Sequence, residues 1–349
     1  MVDRVAGRMA LLAVAIAVAG LVGRLPAQPP AAAAPAGANE GGSKSGVAPE
    51  TVVARVDGRP ILASDVARLM RGAFGGTSMN AATQVVLQAQ ALDELVQQRL
   101  VAMYLAENGV RPTAEELDAA SQAALTQAKA QGKTLSAFLA ERGQTLNTLR
   151  EGAAWDACWS RFAREQLTDQ HLEEFFAAHR REYDGTQVHV SHILLRPTGS
   201  GNNPAAINAL VERARRIREE IVTGKLTFAE AARRDSDGPS REQGGDLGYL
   251  PRHNRMVEAF SAATFALDPQ QISEPVITSF GVHLILCTGI KPGTKTWREV
   301  RGDLTTPATN DLFHRLAAEL RPKAKVEYTG AIPYLEPGTQ RVVMPRPRS

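Results

Sequence analysis

The stretch Gly244-Gly245-Asp246-Leu247-Gly248 decides how this chain is read. It lies between two β-patterned runs, Val188–Leu195 and Val282–Thr288, each carrying one histidine, His192 and His283. In the first run Val188, Val190, His192 and Leu194 alternate with His189, Ser191, Ile193 and Leu195, so a strand presents His192 among apolar neighbours. Packing alone is a poor account of a glycine-rich turn framed by two strand-borne histidines.

Outward from that stretch the pattern is mixed. Past the loop Arg196–Asn203, Pro204 opens a helix as its first residue. Ile207, Leu210, Val211, Ala214, Ile217 and Ile221 make its apolar face, and Gly224 ends it. Thr227 with Glu230 forms a capping box for a second, short helix ending near Arg234. A third helix is predicted over Met256–Phe265, then a strand pair, Pro275–Thr278 and Val282–Thr288, turning at Ser279-Phe280-Gly281. The order β-α-α-loop-α-β-β describes an α+β unit of about a hundred residues, an ordinary domain size.

Upstream, Val52–Val56 and Arg59-Pro60-Ile61 flank Asp57-Gly58, a hairpin signal. Helical patterns then run to about His179, punctuated by Asn108-Gly109, a second capping box at Thr113 and Glu116, Gln131-Gly132, Gly143 and Thr168. On Leu146–Leu167 the spacing of Leu149, Trp155, Trp159 and Phe162 predicts a buried face. Downstream, Trp297–Leu320 reads as helix and Lys325–Tyr328 as strand. Both are too short to fold alone and are expected to return to the N-terminal helices, with Val326 pairing the Val52–Val56 strand. The expected division is a mainly helical domain at 51–186, the α+β domain at 187–291, a returning segment at 292–335 and a disordered tail at 336–349.

The N-terminus reads as an export signal or anchor over 1–27. Arg4 and Arg8 precede the apolar run Met9–Val22, with Arg24, Pro26 and Ala27 after it. That run is shorter than the ~20 residues that span a bilayer. Lipid attachment through an N-terminal cysteine is excluded, because no cysteine lies near it. Residues 28–50 are rich in Ala, Pro and Gly and read as a disordered linker. The expected location is the periplasm or cell envelope, with membrane contact only through an uncleaved N-terminal segment.

Composition excludes several functions. A formal charge of +3 on 349 residues and 5% aromatics leave no footprint for nucleic acid. Cys158 and Cys287 are far apart, lack CxxC spacing and read as buried small hydrophobes rather than zinc ligands. His189 and His192 face opposite sides of one strand and cannot chelate together. No metal and no cofactor are expected.

Val190-Ser191-His192-Ile193-Leu194, Gly245-Asp246-Leu247-Gly248, Met256 through Phe260, Thr264-Phe265-Ala266-Leu267, Glu274-Pro275-Val276 and Phe280-Gly281-Val282-His283 resemble, in order and spacing, the parvulin (PpiC-type) peptidyl-prolyl isomerases. The blocks cover roughly residues 187–291. The region from Val53-Ala54-Arg55-Val56-Asp57-Gly58 onward is more loosely similar to the chaperone segment of SurA-type exported foldases. The resemblance implies an antiparallel sheet with flanking helices, joined to a mainly helical domain. It assigns Leu247, Met256 and Phe260 to a proline pocket, and places His192 and His283 side by side at the sheet centre with the Thr278 hydroxyl in their network. On spacing alone Leu247, Met256 and Phe260 read equally as ordinary core.

The implied function is cis–trans isomerisation of X-Pro bonds in unfolded exported polypeptides, without a covalent step. Two departures qualify it. Many parvulins carry a cysteine or aspartate facing the amide, where this chain has Gly238 with Asp237 one residue earlier. Either Asp237 takes that role or the site lacks the carboxylate and turnover is low; Asp237 equally reads as shaping an Asx-type turn. Arg196 is the single arginine in a loop that is a basic cluster in phosphate-directed parvulins, so phosphorylated substrates are not expected. Asp246 is expected to brace its turn. The competing function is a non-catalytic holdase that uses the parvulin fold only to bind extended segments.

Overall fold

The computed structural model describes residues 47–74, 81–197, 204–253, 255–278, 280–337 and 341–345. The expected export signal and nearly all of the expected linker lie outside the described residues. In chain order the elements are β1 Val52–Val56, β2 Arg59–Leu62, α1 Ala63–Phe74, α2 Ala81–Glu107, α3 Ala114–Ala130, α4 Leu135–Ala140 and α5 Leu146–Gln166. They continue with α6 Asp169–Ala178, α7 Arg180–Tyr183, β3 Gln187–Leu195, α8 Pro204–Val222, α9 Phe228–Asp235, β4 Asp246–Pro251 and α10 Glu258–Phe265. The last are β5 Val276–Thr278, β6 Gly281–Lys291, α11 Arg301–Leu320, β7 Val326–Tyr328, β8 Tyr334–Leu335 and β9 Val342–Val343. Among the described residues no helix is long and apolar enough to cross a membrane. Cys158 and Cys287 are both buried.

The described residues pack as two compact units, whose division falls within α5 and α11: residues 160–313 form one, and residues 47–159 with 314 onward form the other. In the second unit the β1–β2 turn has positive φ at both Asp57 (46°) and Gly58 (78°), the geometry that matches strand twist in a two-residue hairpin. β7 joins the same sheet on the other side of β1, pairing Val56 with Val326 and Ala54 with Tyr328. Asp57 ties the turn to β7, donating its N–H to Lys325 O (2.9 Å) and accepting the Lys325 N–H at Oδ1 (2.7 Å). Val53, Val56 and Ile61 bury against Leu92, Val96 and Leu100 of α2 and Ile332. β8 and β9 pair with one another, so the stretch expected as a disordered tail holds a strand at Val342–Val343. A two-residue strand leaves too little pattern to read from sequence.

The other unit is built on a four-stranded antiparallel sheet in the order β4-β3-β6-β5. On one face Ile193, Leu195, Val282 and Leu284 bury against Val211, Ala214 and Ile217 of α8 and Ala231 and Ala232 of α9. On the other, Val188, Val190, Ile285 and Cys287 meet Phe260 and Phe265 of α10. The unit extends past the motif blocks, because Leu172, Phe175 and Phe176 of α6 bury with Trp297, Val300, Leu304 and Ala308.

Two readings are corrected. The glycine stretch is more than a turn: Asp246–Pro251 is strand β4, paired with β3 at the sheet edge. Its half-exposed, Gly- and Pro-bearing sequence lacks the alternation of a central strand, and an edge tolerates such residues. Trp155, Trp159 and Phe162 are half-buried rather than core, while Leu149 packs beside Phe138 and Leu139.

Gly245 is where the turn becomes obligatory. It has φ +86°, and an added Cβ would lie 2.3 Å from the carbonyl oxygen of His192. Its own carbonyl accepts the His192 N–H at 2.9 Å. Gly245→Ala is therefore expected to lower unfolding free energy by more than about 2 kcal/mol, from left-handed strain plus a backbone collision. A denaturant midpoint unchanged from wild type would contradict this packing.

Candidate active site

His192 and His283 sit on the two central strands, in a register that pairs His192 with Ile285 and Leu194 with His283. Directly opposite residues share a face, so the two imidazoles are diagonal neighbours on the α10 side. Their rings stack 5.6 Å apart at 25°, with Nδ1 to Nδ1 at 3.4 Å. Thr278 on β5 reaches the far side of His283, Oγ1 to Nε2 at 2.8 Å. Thr278 Oγ1 also accepts the Phe280 N–H at 3.0 Å.

This chain of contacts has a direction. The Thr278 proton has two acceptors, His283 Nε2 at 2.8 Å and the Gly281 carbonyl at 3.4 Å. Donation along the shorter path puts the His283 proton on Nδ1, facing His192 Nδ1, and leaves the His192 proton on Nε2. That Nε2 is buried and has no partner. It faces Gly238, where an added Cβ would stand 3.2 Å away.

Phe260, fully buried, meets both rings edge-on, at 5.9 Å and 80° for His192 and at 5.3 Å and 77° for His283. Leu247 and Met256 are half-buried members of the same apolar cluster. Arg252 anchors this side of the sheet, gripping Glu258 through Nη1 (2.9 Å) and Nη2 (2.5 Å) and Glu182 through Nε (2.9 Å). The site is thus an apolar floor beside two buried imidazoles, open where Leu247 and Met256 are partly exposed.

Burial sets the charge state. Desolvation pushes His192 below its ordinary value. Burial, then the His192 ring, then Arg196 bring His283 down to about 4. Both rings are neutral near pH 7 and serve as oriented donors and acceptors rather than as cations.

Asp237 is the sequence candidate that the structure does not bring to the histidines. It is exposed, its Oδ2 accepts the Arg196 N–H (2.9 Å), and its own N–H donates to Leu194 O (2.7 Å). It clasps the end of β3. Asp246 accepts the Gly248 N–H at 2.9 Å in an Asx turn. Sequence reasoning missed Ser236. It is fully buried, and its Oγ accepts the N–H groups of both Leu194 and Gly238 at 3.1 Å, which holds Gly238 against the His192 ring. A serine just past a short helix offers little signal for that role. Among the described residues no group of three or more His, Cys, Asp or Glu is placed to hold a metal.

The α+β unit thus carries a neutral histidine pair on an antiparallel sheet beside an apolar cluster. The PPIC-type PPIASE domain family matches residues 192–289, and the SurA-like N-terminal domain family matches 9–161. Peptidyl-prolyl cis-trans isomerase Pin1 of Arabidopsis thaliana is 40% identical over 111 residues, 28% of this chain and 92% of that protein. The chaperone SurA of a Polaromonas species is 34% identical over 147 residues, 41% of this chain and 30% of that protein. Foldase protein PrsA 1 of Bacillus cereus is 31% identical over 158 residues, 45% of this chain and 47% of that protein. The chain thus spans less than half the length of these last two relatives. It belongs to the PpiC-type, or parvulin, peptidyl-prolyl isomerase family, with a SurA-like domain preceding the parvulin domain.

The depressed His283 value has a consequence for stability. Between about 4 and the ordinary 6.5, the unfolded chain binds a proton that the folded chain does not. The contribution is intact above that window and is lost as pH falls through it, by about 3 kcal/mol for His283. Denaturant midpoints measured from pH 7 to pH 4 are expected to show this slope, and His283→Asn to flatten it.

Proposed function

We propose that the chain is an exported peptidyl-prolyl cis–trans isomerase and foldase acting on X-Pro bonds of unfolded secreted or envelope proteins. The observation that supports this most is the neutral His192–His283–Thr278 array set against Phe260. Rotation about a peptide bond meets a barrier of ~18–20 kcal/mol, because resonance stiffens C–N. Uncatalysed X-Pro exchange takes tens of seconds or longer. No bond need be made or broken to speed it. A site has only to bind the twisted amide better than either planar form.

In this reading Leu247, Met256 and Phe260 seat the proline ring. The dry floor disfavours the charge-separated resonance form that planarity requires. The His192 N–H, its tautomer held by His283 and Thr278, orients the amide beside Gly238. The export signal read at 1–27 supports action in the periplasm or cell envelope, and the names of the chaperone SurA and foldase PrsA relatives support a folding role.

Gly238 favours a second reading. It offers no side chain to the amide, so the parvulin fold could serve a non-catalytic holdase that grips extended segments. A proline-isomerisation assay on short peptides separates the two. The wild type is expected to accelerate exchange, with His283→Ala lowering kcat/KM at least about tenfold, equivalent to ~1.4 kcal/mol of transition-state binding. Met256→Ala is expected to act mainly on KM. If the wild type gives no acceleration, the isomerase reading fails and the holdase reading stands.

A further inference from the structure

The unit that contains the hairpin and α1–α4 holds a cavity of about 350 Å³, at the small end of the range for ligand sites. It is remote in sequence from the histidine pair and takes no part in the chemistry above. Its apolar wall is Ile61, Leu95, Met103 and Trp155, and Trp155 is stacked on Trp159 at 5.8 Å with the rings 1° from parallel. Along α5 the wall is cut back by small residues, Gly152, Ala154 and Cys158.

Gly152 needs an explanation. It lies inside α5, where glycine is a poor helix former, and it has an ordinary φ that any residue adopts. An added Cβ there would meet no atom within 4 Å, so close packing does not demand glycine either. Gly152 is exposed and lines the cavity, so a side chain there would project at its mouth.

The rim is charged, and with one sign in excess. Arg59, Arg68, Arg99 and Arg111 line it together with two carboxylates, Asp65 and Glu151. Asp65 is already held by Arg68 at 2.7 Å. An apolar cavity rimmed by more guanidinium than carboxylate groups complements a large apolar side chain flanked by acid, since guanidinium pairs well with carboxylate.

We infer that this cavity is the client-holding site of the helical unit, and that it takes a large apolar side chain of an unfolded polypeptide with Asp or Glu beside it. This rests on the foldase reading above and adds where the client is held and which segments are chosen. It assigns the cavity to an internal acidic segment, with the carboxylate on the arginine rim and the apolar side chain between Trp155 and Met103.

The test uses the full chain and fluorescein-labelled twelve-residue peptides with one central Phe, flanked by Glu, by Gln or by Lys. The Glu-flanked peptide is expected to bind at least tenfold more tightly than the Lys-flanked one, with Gln between. Gly152→Leu is expected to weaken its binding at least tenfold while the melting temperature holds or rises, which simple misfolding would not do. Arg59→Glu with Arg99→Glu is expected to reverse the charge preference. Equal binding of the Glu and Lys peptides, or unimpaired binding by Gly152→Leu, would overturn the assignment. Proline isomerisation by the wild type, measured in parallel, tests the foldase reading separately. A chain that isomerises but ignores Gly152→Leu refutes the cavity assignment alone.

Discussion

The ladder between β3 and β6 is the constraint on which the parvulin unit depends. Its register runs from Gln187 paired with Lys291 to Leu195 paired with Val282. Because side chains alternate, that register sends Ile193, Leu195, Val282 and Leu284 toward α8 and α9, and His192, His283 and Ile285 toward α10. A slip of one residue would turn the histidines into the first core and expel its aliphatic residues. The ladder absorbs one irregularity, between His189 and Val190, before the site begins. Glycines allow close approach at two points: Gly245, just before β4, lies on the backbone of His192, and an added Cβ at Gly281, the first residue of β6, would stand 2.2 Å from the Leu195 carbonyl oxygen.

That arrangement explains how two imidazoles survive burial. Each is neutral, and each hands its hydrogen-bonding capacity along a path from Thr278 through His283 to His192. The path ends on one unsatisfied nitrogen, His192 Nε2, beside a residue with no side chain. An unpaired buried polar atom is costly in an interior where most such groups are hydrogen-bonded. Ser236 makes the geometry definite by clipping the loop that carries Gly238 to the β3 backbone.

The helical unit was legible in part. The Asp57-Gly58 hairpin and the Thr113–Glu116 capping box are local chemistry, and both stand as the residues indicate. The Thr227–Glu230 box in the other unit is equally local. The aromatic spacing on α5 misled, because helical periodicity records a face without saying what covers it. Gly152, Ala154 and Cys158 on the same helix line a cavity with Trp155, where a core was expected. β4 escaped for a related reason: an edge strand is stabilised from one side and need not alternate.

At the site, the sequence by itself determined which residues are present and on which side of a strand they fall: His192 apart from Ser191, apolar Leu247, Met256 and Phe260, and glycine at 238. Alternation and motif spacing act over a few residues, so a string of letters carries them. Only the tertiary structure decided that Thr278 bonds His283, that Asp237 turns outward to the Arg196 backbone, and that Ser236 fastens Gly238 over His192. Those contacts join segments brought together by strand register and loop path. Their ångström-scale geometry follows from the packing of the whole unit rather than from any local preference.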